Sequence, residues 1–537
     1  MESSEFDYIV TGAGSAGCVV ASRLSESGRH RVLLLEAGIK DSSPWIHIPI
    51  GYTKAYANPR INWMFSSAPE KELHNRTLYL PRGKVLGGTS SINGMVYMRG
   101  DAMDYDNWRQ RGCEGWDWES VLPYFKRAED NERGADEFHG TGGPLRVSDP
   151  PHIWPLGRAM VEAAVQAGIP RTADFNGAQK EGTGYYQTTT NNKRRWSAAA
   201  AYLRPARGRQ NLTVITQAHA TRVLIEQGRA VGVTYRTPRG DAIARARGEV
   251  IVSGGTYGSP HLLQLSGLGP AELLRETDIA LFRDMPGVGA NLHDHFNTYS
   301  AYRLSQSVTL NDLARSLPRR ILAGAQYAFG RHGPMSTTGL FAGAFLRSDP
   351  RLERPDIQIN MSAWSTAKRD HEGIHPHPFP GITLSPVHLR PEGRGTVRVQ
   401  SPDPLAQPEI RFNFLKSDYD MQALIFGIRT CRRIAAQPAL APFMVSEVAP
   451  GAEFDSDAEL ADVVRANGVS NHHPVGTCRM GKEPDAVVDP RLRVYGVERL
   501  RVADASIMPS IIAGNTNAPT IMIGEKAAAM ILEDARS

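Results

Sequence analysis

The 537-residue sequence predicts an α/β protein (α+β overall) on two observations. Units of strand, glycine-rich turn and helix recur at three widely separated places. Between them lie stretches of β-branched alternation broken by Gly and Pro. The three units read as one discontinuous, Rossmann-like nucleotide-binding domain, and the later of those stretches, Ile357 to Phe412, as part of a second domain built mainly on an antiparallel sheet.

The first unit is the clearest. Phe6 to Thr11 is a short β-rich run, the glycines at 12, 14 and 17 open a helix-compatible stretch from Ala16 to Glu26, and Arg31 to Glu36 is a second apolar strand. The next unit runs from the strand Glu249 to Ser253 through Gly254 and Gly255 into the run Ser259 to Leu265. In the third, Leu500 to Ala503 is strand-like, Asp504 ends it, and Pro519 to Leu532 reads as a helix. Strand character dominates from Val214 to Tyr235 and from Ile357 to Phe412, and helical periodicity returns near Asp420 to Ala436 and Asp457 to Ala466. The expected division is 1–155, 205–300 and 465–537 for the nucleotide-binding domain, with 156–204 and 301–464 for a substrate-binding domain.

Composition excludes several classes. With 41% apolar and 22% charged residues the chain has ample material for a core, so it is not disordered. No run approaches the ~18 apolar residues of a membrane span. The net charge of +5 is small for this length. The basic runs Lys193-Arg194-Arg195 and Arg204, Arg207, Arg209 are interrupted and lack a reader module, so they read as a solvated face and nucleic acid is not an expected partner. Peripheral contact with anionic lipid stays open, and nothing sets an oligomeric state. Cys18, Cys113, Cys431 and Cys478 are scattered, which suits a reducing compartment. The strand at Phe6 leaves no room for a leader, so the expected location is the cytoplasm, free or against the inner face of the membrane.

Gly12-Ala13-Gly14-Ser15-Ala16-Gly17 fits G-x-G-x-x-G directly after a strand. The first glycine permits the turn, the second lets the backbone approach a pyrophosphate, and the third lets helix and strand pack closely. Glu36 ends the next strand, where a carboxylate accepts ribose hydroxyls. An acid there disfavours a phosphorylated ribose, so FAD or NAD fits better than NADP.

Other strings compete less well. His371-Glu372-Gly373-Ile374-His375 spells H-E-x-x-H, but Gly373, Pro376 and Pro378 deny it the helix a zinc site needs; it reads as a polar loop, and no metal is expected. His472 and His473 are adjacent and strand-like, which would point them to opposite faces. No serine-hydrolase elbow or phosphate-binding P-loop occurs.

Four ordered blocks then carry a family resemblance over essentially the whole chain: Gly83 to Gly94 (GKVLGGTSSING), Gly255 to Gly269 (GTYGSPHLLQLSGLG), His473 to Gly481 (HPVGTCRMG) and Gly514 to Lys526 (GNTNAPTIMIGEK). Together they resemble the glucose–methanol–choline (GMC) flavin oxidoreductases, nearest to the bacterial aliphatic-alcohol and choline dehydrogenase branch. The resemblance implies FAD, with Ala37 beside the Glu36 carboxylate; Gly87, Gly88, Ser91, Asn93, Gly94, Met95 and Val96 along the flavin and diphosphate; Val223 at the adenine; Asp504 and Ala505 near the ribityl; and Asn517, Pro519 and Thr520 beside the flavin. Some members attach FAD through a histidine at the position of Ile92; isoleucine has no nucleophile, so non-covalent FAD is expected.

The resemblance further implies oxidation of a primary alcohol to the aldehyde, by hydride transfer to flavin N5. An alcohol carbon gives up hydride readily only while its hydroxyl proton is being removed, which needs a base and a polar group to hold the oxygen. The resemblance assigns these roles to His473 and Asn517, with His472 and Trp63 as candidate walls of the substrate cavity. Electrons would pass to a quinone-type acceptor. An oxidase that reduces O2 to H2O2, and a non-redox lyase or photodecarboxylase on the same fold, are the alternatives. Choline would need an aromatic cage and a carboxylate, for which Trp364, Phe379 and Glu372 are candidates; aliphatic and aryl alcohols are equally compatible.

Overall fold

The computed structural model describes residues 4–536. Two sheets organise it. The first has seven strands, and its parallel centre runs in the order Leu212–Thr216, Val32–Glu36, Ser4–Thr11, Gly240–Val252 and Leu500–Val502. Val32–Glu36 is buried throughout, as a strand covered on both faces requires. The long strand Gly240–Val252 has two roles: its first half pairs antiparallel with Arg229–Thr237, and its last three residues pair with Leu500–Val502. The helix Ser15–Leu24 follows the first strand, and Gly255–Leu265 follows the long one.

The three distant segments are fastened by buried charge. Glu525, on the C-terminal helix Asn517–Asp534, accepts Arg23 Nε and Nη2 at 2.9 Å each and Tyr202 Oη at 2.8 Å. Arg501 reaches Glu249 Oε1 at 2.9 Å and Asp534 Oδ2 at 2.7 Å. A buried pair of this kind is worth most for what its loss would leave behind, an unpaired charge in the core.

The second sheet has eight strands, all paired antiparallel, in the order Met444–Ala449, Ser300–Leu304, Gly381–His388, Ile357–Ser362, Leu340–Leu346 and Gly182–Tyr185. The helix Asp418–Ala435, capped by the Ser417 hydroxyl, packs over it. Phe296–Asn297 and Val469–Ser470, from stretches assigned on sequence to the first domain, add to this sheet and pair with each other. That pairing brings 293–295 alongside 471–475 at the junction of the two sheets.

Two expectations need correction here. Arg195 is not part of a solvated face: it is 1% exposed and bonds Ile46 O, Ser90 O and Asn93 Oδ1. The H-E-x-x-H string is a hairpin between Thr366–Asp370 and Gly373–Pro376 rather than an open loop. His371 turns away from it to bond Ser66 Oγ at 3.0 Å, while Asp370, Glu372 and His375 sit together at its outer end. All four cysteines are free and buried. Among the described residues no helix is long and apolar enough to cross a membrane.

Candidate active site

One elongated cavity of ≈ 520 Å³ begins at the glycine turn and ends at His473. Its nucleotide end is shaped by the absence of side chains. A Cβ on Gly12, where φ is +97°, would lie 2.4 Å from Ser253 O, and one on Gly17 would lie 1.9 Å from Gly12 O. These two glycines serve the turn and the packing. Gly14 differs: a Cβ there would meet nothing within 4 Å, because the space beyond it is the cavity. Gly88 presses against this turn so closely that a Cβ would sit 2.7 Å from Gly14 Cα.

Ser15, Ala16, Glu36 and Ala37 line this end. Glu36 accepts Ala13 N at 2.9 Å and Gly38 N at 2.7 Å; burial pushes its carboxyl up to about 7, against those bonds and nearby Lys84. Asn93, Gly94, Met95, Val96, Asp504, Ala505, Asn517 and Thr520 continue the lining. Gly87, Ser91 and Pro519 stand behind it; Ser91 Oγ bonds Leu86 O at 2.7 Å and so sets the loop's course.

Two residues are not where the sequence placed them. Val223 is in the hydrophobic core, its backbone N bonded to Ser266 Oγ; Ala218, just before the strand His219–Glu226, and His219 and Ala220 at its start line the cavity instead. Trp63 lines the nucleotide end, edge-on to His219 and under Lys84 Nζ at 4.5 Å, rather than the end that holds His473.

At the far end, His473 follows the strand pair. Its backbone N donates to Asp294 Oδ1 at 2.7 Å, whose other oxygen accepts Ser470 Oγ at 2.5 Å. Its Nδ1 is 3.1 Å from His295 Nδ1, and its Nε2 is 2.9 Å from Asn515 Nδ2. Asn515, not Asn517, is the amide beside the imidazole. Asn517 opens the C-terminal helix, and its Oδ1 accepts Ser15 Oγ at 2.8 Å, which ties that helix to the glycine turn. His472 also lines the cavity, on the same side as His473; its φ of +64° is left-handed, so strand alternation does not apply to the pair.

The imidazoles here are neutral at pH 7. Burial first, then His295, Arg82 and His472, hold His473 well below the ordinary imidazole value. Burial likewise lowers His472 and His295, each to about 3. Asp294 is pushed up to about 6 by burial, opposed by the Ser470 hydroxyl and Arg82. Sequence reasoning missed Asp294, His295 and Asn515. The signal for the first two was three titratable residues in succession, His293-Asp294-His295, between a glycine-rich turn and a strand.

The residues suit FAD. Thr11 Oγ1 and His261 Nε2 are buried in the cavity wall without hydrogen-bond partners, and the open face of Gly14 presents bare backbone where a diphosphate would lie. Comparison of the sequence with known families matches residues 6–297 and 391–524 to the N- and C-terminal parts of GMC oxidoreductases. The chain belongs to the GMC oxidoreductase family.

Like other GMC oxidoreductases it is an FAD enzyme acting on CH–OH donors. It is 43% identical over 530 residues to an alcohol dehydrogenase [acceptor] of Pseudomonas putida, covering 98% of this chain and 96% of that one. It is 43% identical over 536 residues to a mitochondrial choline dehydrogenase of Mus musculus, covering 98% and 89%. Among solved structures, pyridoxine 4-oxidase from Mesorbium loti superposes with a TM-score of 0.88 at 30% identity, covering 97% and 98%.

Proposed function

We propose that this GMC oxidoreductase oxidises a primary alcohol to the aldehyde, with His473 as the general base and Asn515 as the group that holds the alcohol oxygen. The observation that carries this reading is the pairing of a buried, neutral imidazole with an amide N–H, 2.9 Å apart, in the wall of the cavity. His473 Nδ1 lies 3.1 Å from His295 Nδ1 and 3.2 Å from the Asn471 side-chain amide; with the ring proton on Nδ1 and that amide turned so that its oxygen accepts it, an assignment made from the hydrogen-bond network, Nε2 is the acceptor that faces Asn515. A hydroxyl seated there donates to Nε2 and accepts from Asn515 Nδ2–H. Proton removal raises the charge on oxygen, and the amide N–H stabilises that charge as it grows. Asp294 fixes the backbone of His473, and the Asn471 amide supports the required tautomer. A bound FAD supplies the two-electron acceptor for the hydride that leaves the carbinol carbon. Asn93, Gly94 and Thr520 would hold its ring beside this pair, and the glycine turn with Asn517 and Ser15 its diphosphate end.

Ile92 carries no nucleophile, so the flavin is held non-covalently; acid precipitation is expected to leave the yellow colour in the supernatant, and a coloured pellet would refute this. The similarity to the Pseudomonas alcohol dehydrogenase [acceptor] supports an electron carrier rather than O2 as the terminal acceptor. The deciding experiment mixes the holoenzyme with primary alcohols under nitrogen. Bleaching of the oxidised flavin band is expected, followed in air by dye reduction with little peroxide. A band unchanged by every alcohol would remove the proposal.

A further inference from the structure

The cavity end beside His473 carries two cations and no carboxylate. Its charged lining residues are Arg82 and Arg369; the acids that line the cavity, Glu36 and Asp504, lie toward the nucleotide end and are bonded to Ala13 and Gly38, and to Gly255, Ser259 and Ser506. Arg82 is engaged through Nη2, which donates to His472 O at 2.6 Å, and its guanidinium lies over Tyr257, although its Nε is buried without a partner. Arg369 is not engaged. Among the described residues it has no ion pair, its Nε is sealed from solvent without a hydrogen-bond partner, and only aromatic faces meet it, Tyr299 at 5.0 Å and Trp364 at 5.7 Å. The acid beside it in sequence, Asp370, is taken by Lys368 and by the backbone of Glu372 and Gly373.

The Arg369 side chain is half-buried, and a guanidinium whose Nε is cut off from water with no counter-charge beside it bears a desolvation cost that cation–π contact returns only in part. The planar fork matches a carboxylate bidentately. It stands within electrostatic reach of His472, next in sequence to the base: after burial and Arg82, Arg369 helps to hold that imidazole low. The same end repels a quaternary ammonium. Glu372 is exposed on the hairpin and Phe379 stacks on His377, so neither joins Trp364 in a cage for a cation.

We propose that Arg369 is a subsite for a substrate carboxylate, and that the alcohol this enzyme oxidises is a hydroxy acid. The proposal rests on the alcohol-oxidising reading of the same cavity. In the reaction the O–H proton passes to His473, the carbinol C–H bond breaks with its electron pair leaving as hydride to FAD, and C=O forms; the carboxylate is held at Arg369 unchanged.

The test compares 6-hydroxyhexanoate with 1-hexanol and choline in anaerobic flavin reduction by the holoenzyme, and measures calorimetric binding of hexanoate, which has no hydroxyl. The hydroxy acid is expected to exceed hexanol ~10- to 100-fold in kcat/KM, the range of one charge-assisted bidentate contact, mainly through KM, with choline poorest. Arg369→Met should collapse that preference and abolish hexanoate binding, and Arg369→Lys should restore part of both. Should the methionine variant lose FAD, the lysine variant and the wild-type ratio still decide. Equal use of hexanol and the hydroxy acid, a preference that survives Arg369→Met, or no hexanoate binding to the wild type would each overturn the proposal. Hexanoate binding that depends on Arg369, with no alcohol bleaching the flavin, would leave the anion subsite standing and remove the alcohol reading instead.

Discussion

Replacing His473 with alanine is expected to slow anaerobic flavin reduction by about 10²- to 10⁴-fold, the usual contribution of a positioned general base, or about 3–5 kcal/mol of barrier. FAD content should stay at the wild-type level. The separation follows from position: His473 bonds Asn515, His295 and Asp294 at one end of the cavity, and none of these contacts reaches the glycine turn. The two asparagines sharpen the test. Asn515→Ala removes the N–H aimed at the reacting oxygen and should lower kcat by ~10²-fold. Asn517→Ala frees Ser15 and should show chiefly as weaker FAD retention. If Asn517→Ala proved the slower catalyst while holding FAD normally, the roles given to the two amides would be reversed. An unchanged rate in His473→Ala would move the base elsewhere.

Gly14→Val is expected to yield a folded, colourless protein. The backbone at Gly14, with φ −79° and ψ −162°, is ordinary extended geometry that valine adopts without strain. The Cβ would enter open cavity rather than protein. The fold has no reason to fail, but the space a diphosphate needs is lost. Flavin per chain should drop below ~10% of wild type while the far-ultraviolet circular dichroism and cooperative melting of the apoprotein persist. Gly17→Ala makes a contrasting control, since its Cβ would stand 1.9 Å from Gly12 O and should damage the fold itself. A yellow Gly14→Val protein with full flavin stoichiometry would show that the diphosphate lies elsewhere.

Most of the architecture was legible because strand, glycine turn and helix form a local pattern, and each of the three instances holds a place in or beside the same sheet. What escaped depends on local conformation or on long-range pairing. Asn515 and Asn517 are two residues apart at the start of a helix, where the turn decides which side chain meets His473, and the string itself does not. Val223 lies farther along the chain than Ala218, His219 and Ala220, which line the cavity, and is in the core. His472 and His473 share a cavity because one left-handed residue cancels the alternation of a strand. Arg195 hid among solvated basic neighbours, although it is buried against the loop that carries Asn93. Nothing in the string Lys368-Arg369-Asp370 marks Arg369, and only the fold shows that lysine and aspartate pair while the arginine lines the cavity.

The most direct measurement follows anaerobic bleaching of the bound flavin by an alcohol substrate from pH 5 to pH 9. Burial disfavours the imidazolium of His473, so its base form should persist well below the ordinary imidazole value of ~6.5. Reduction should therefore hold its rate from pH 7 into the acid range, with any acid limb displaced well below 6.5. A rate that falls through a limb at or above 6.5, or a flavin that no alcohol bleaches at any pH, would contradict a buried neutral imidazole as the group that takes the hydroxyl proton.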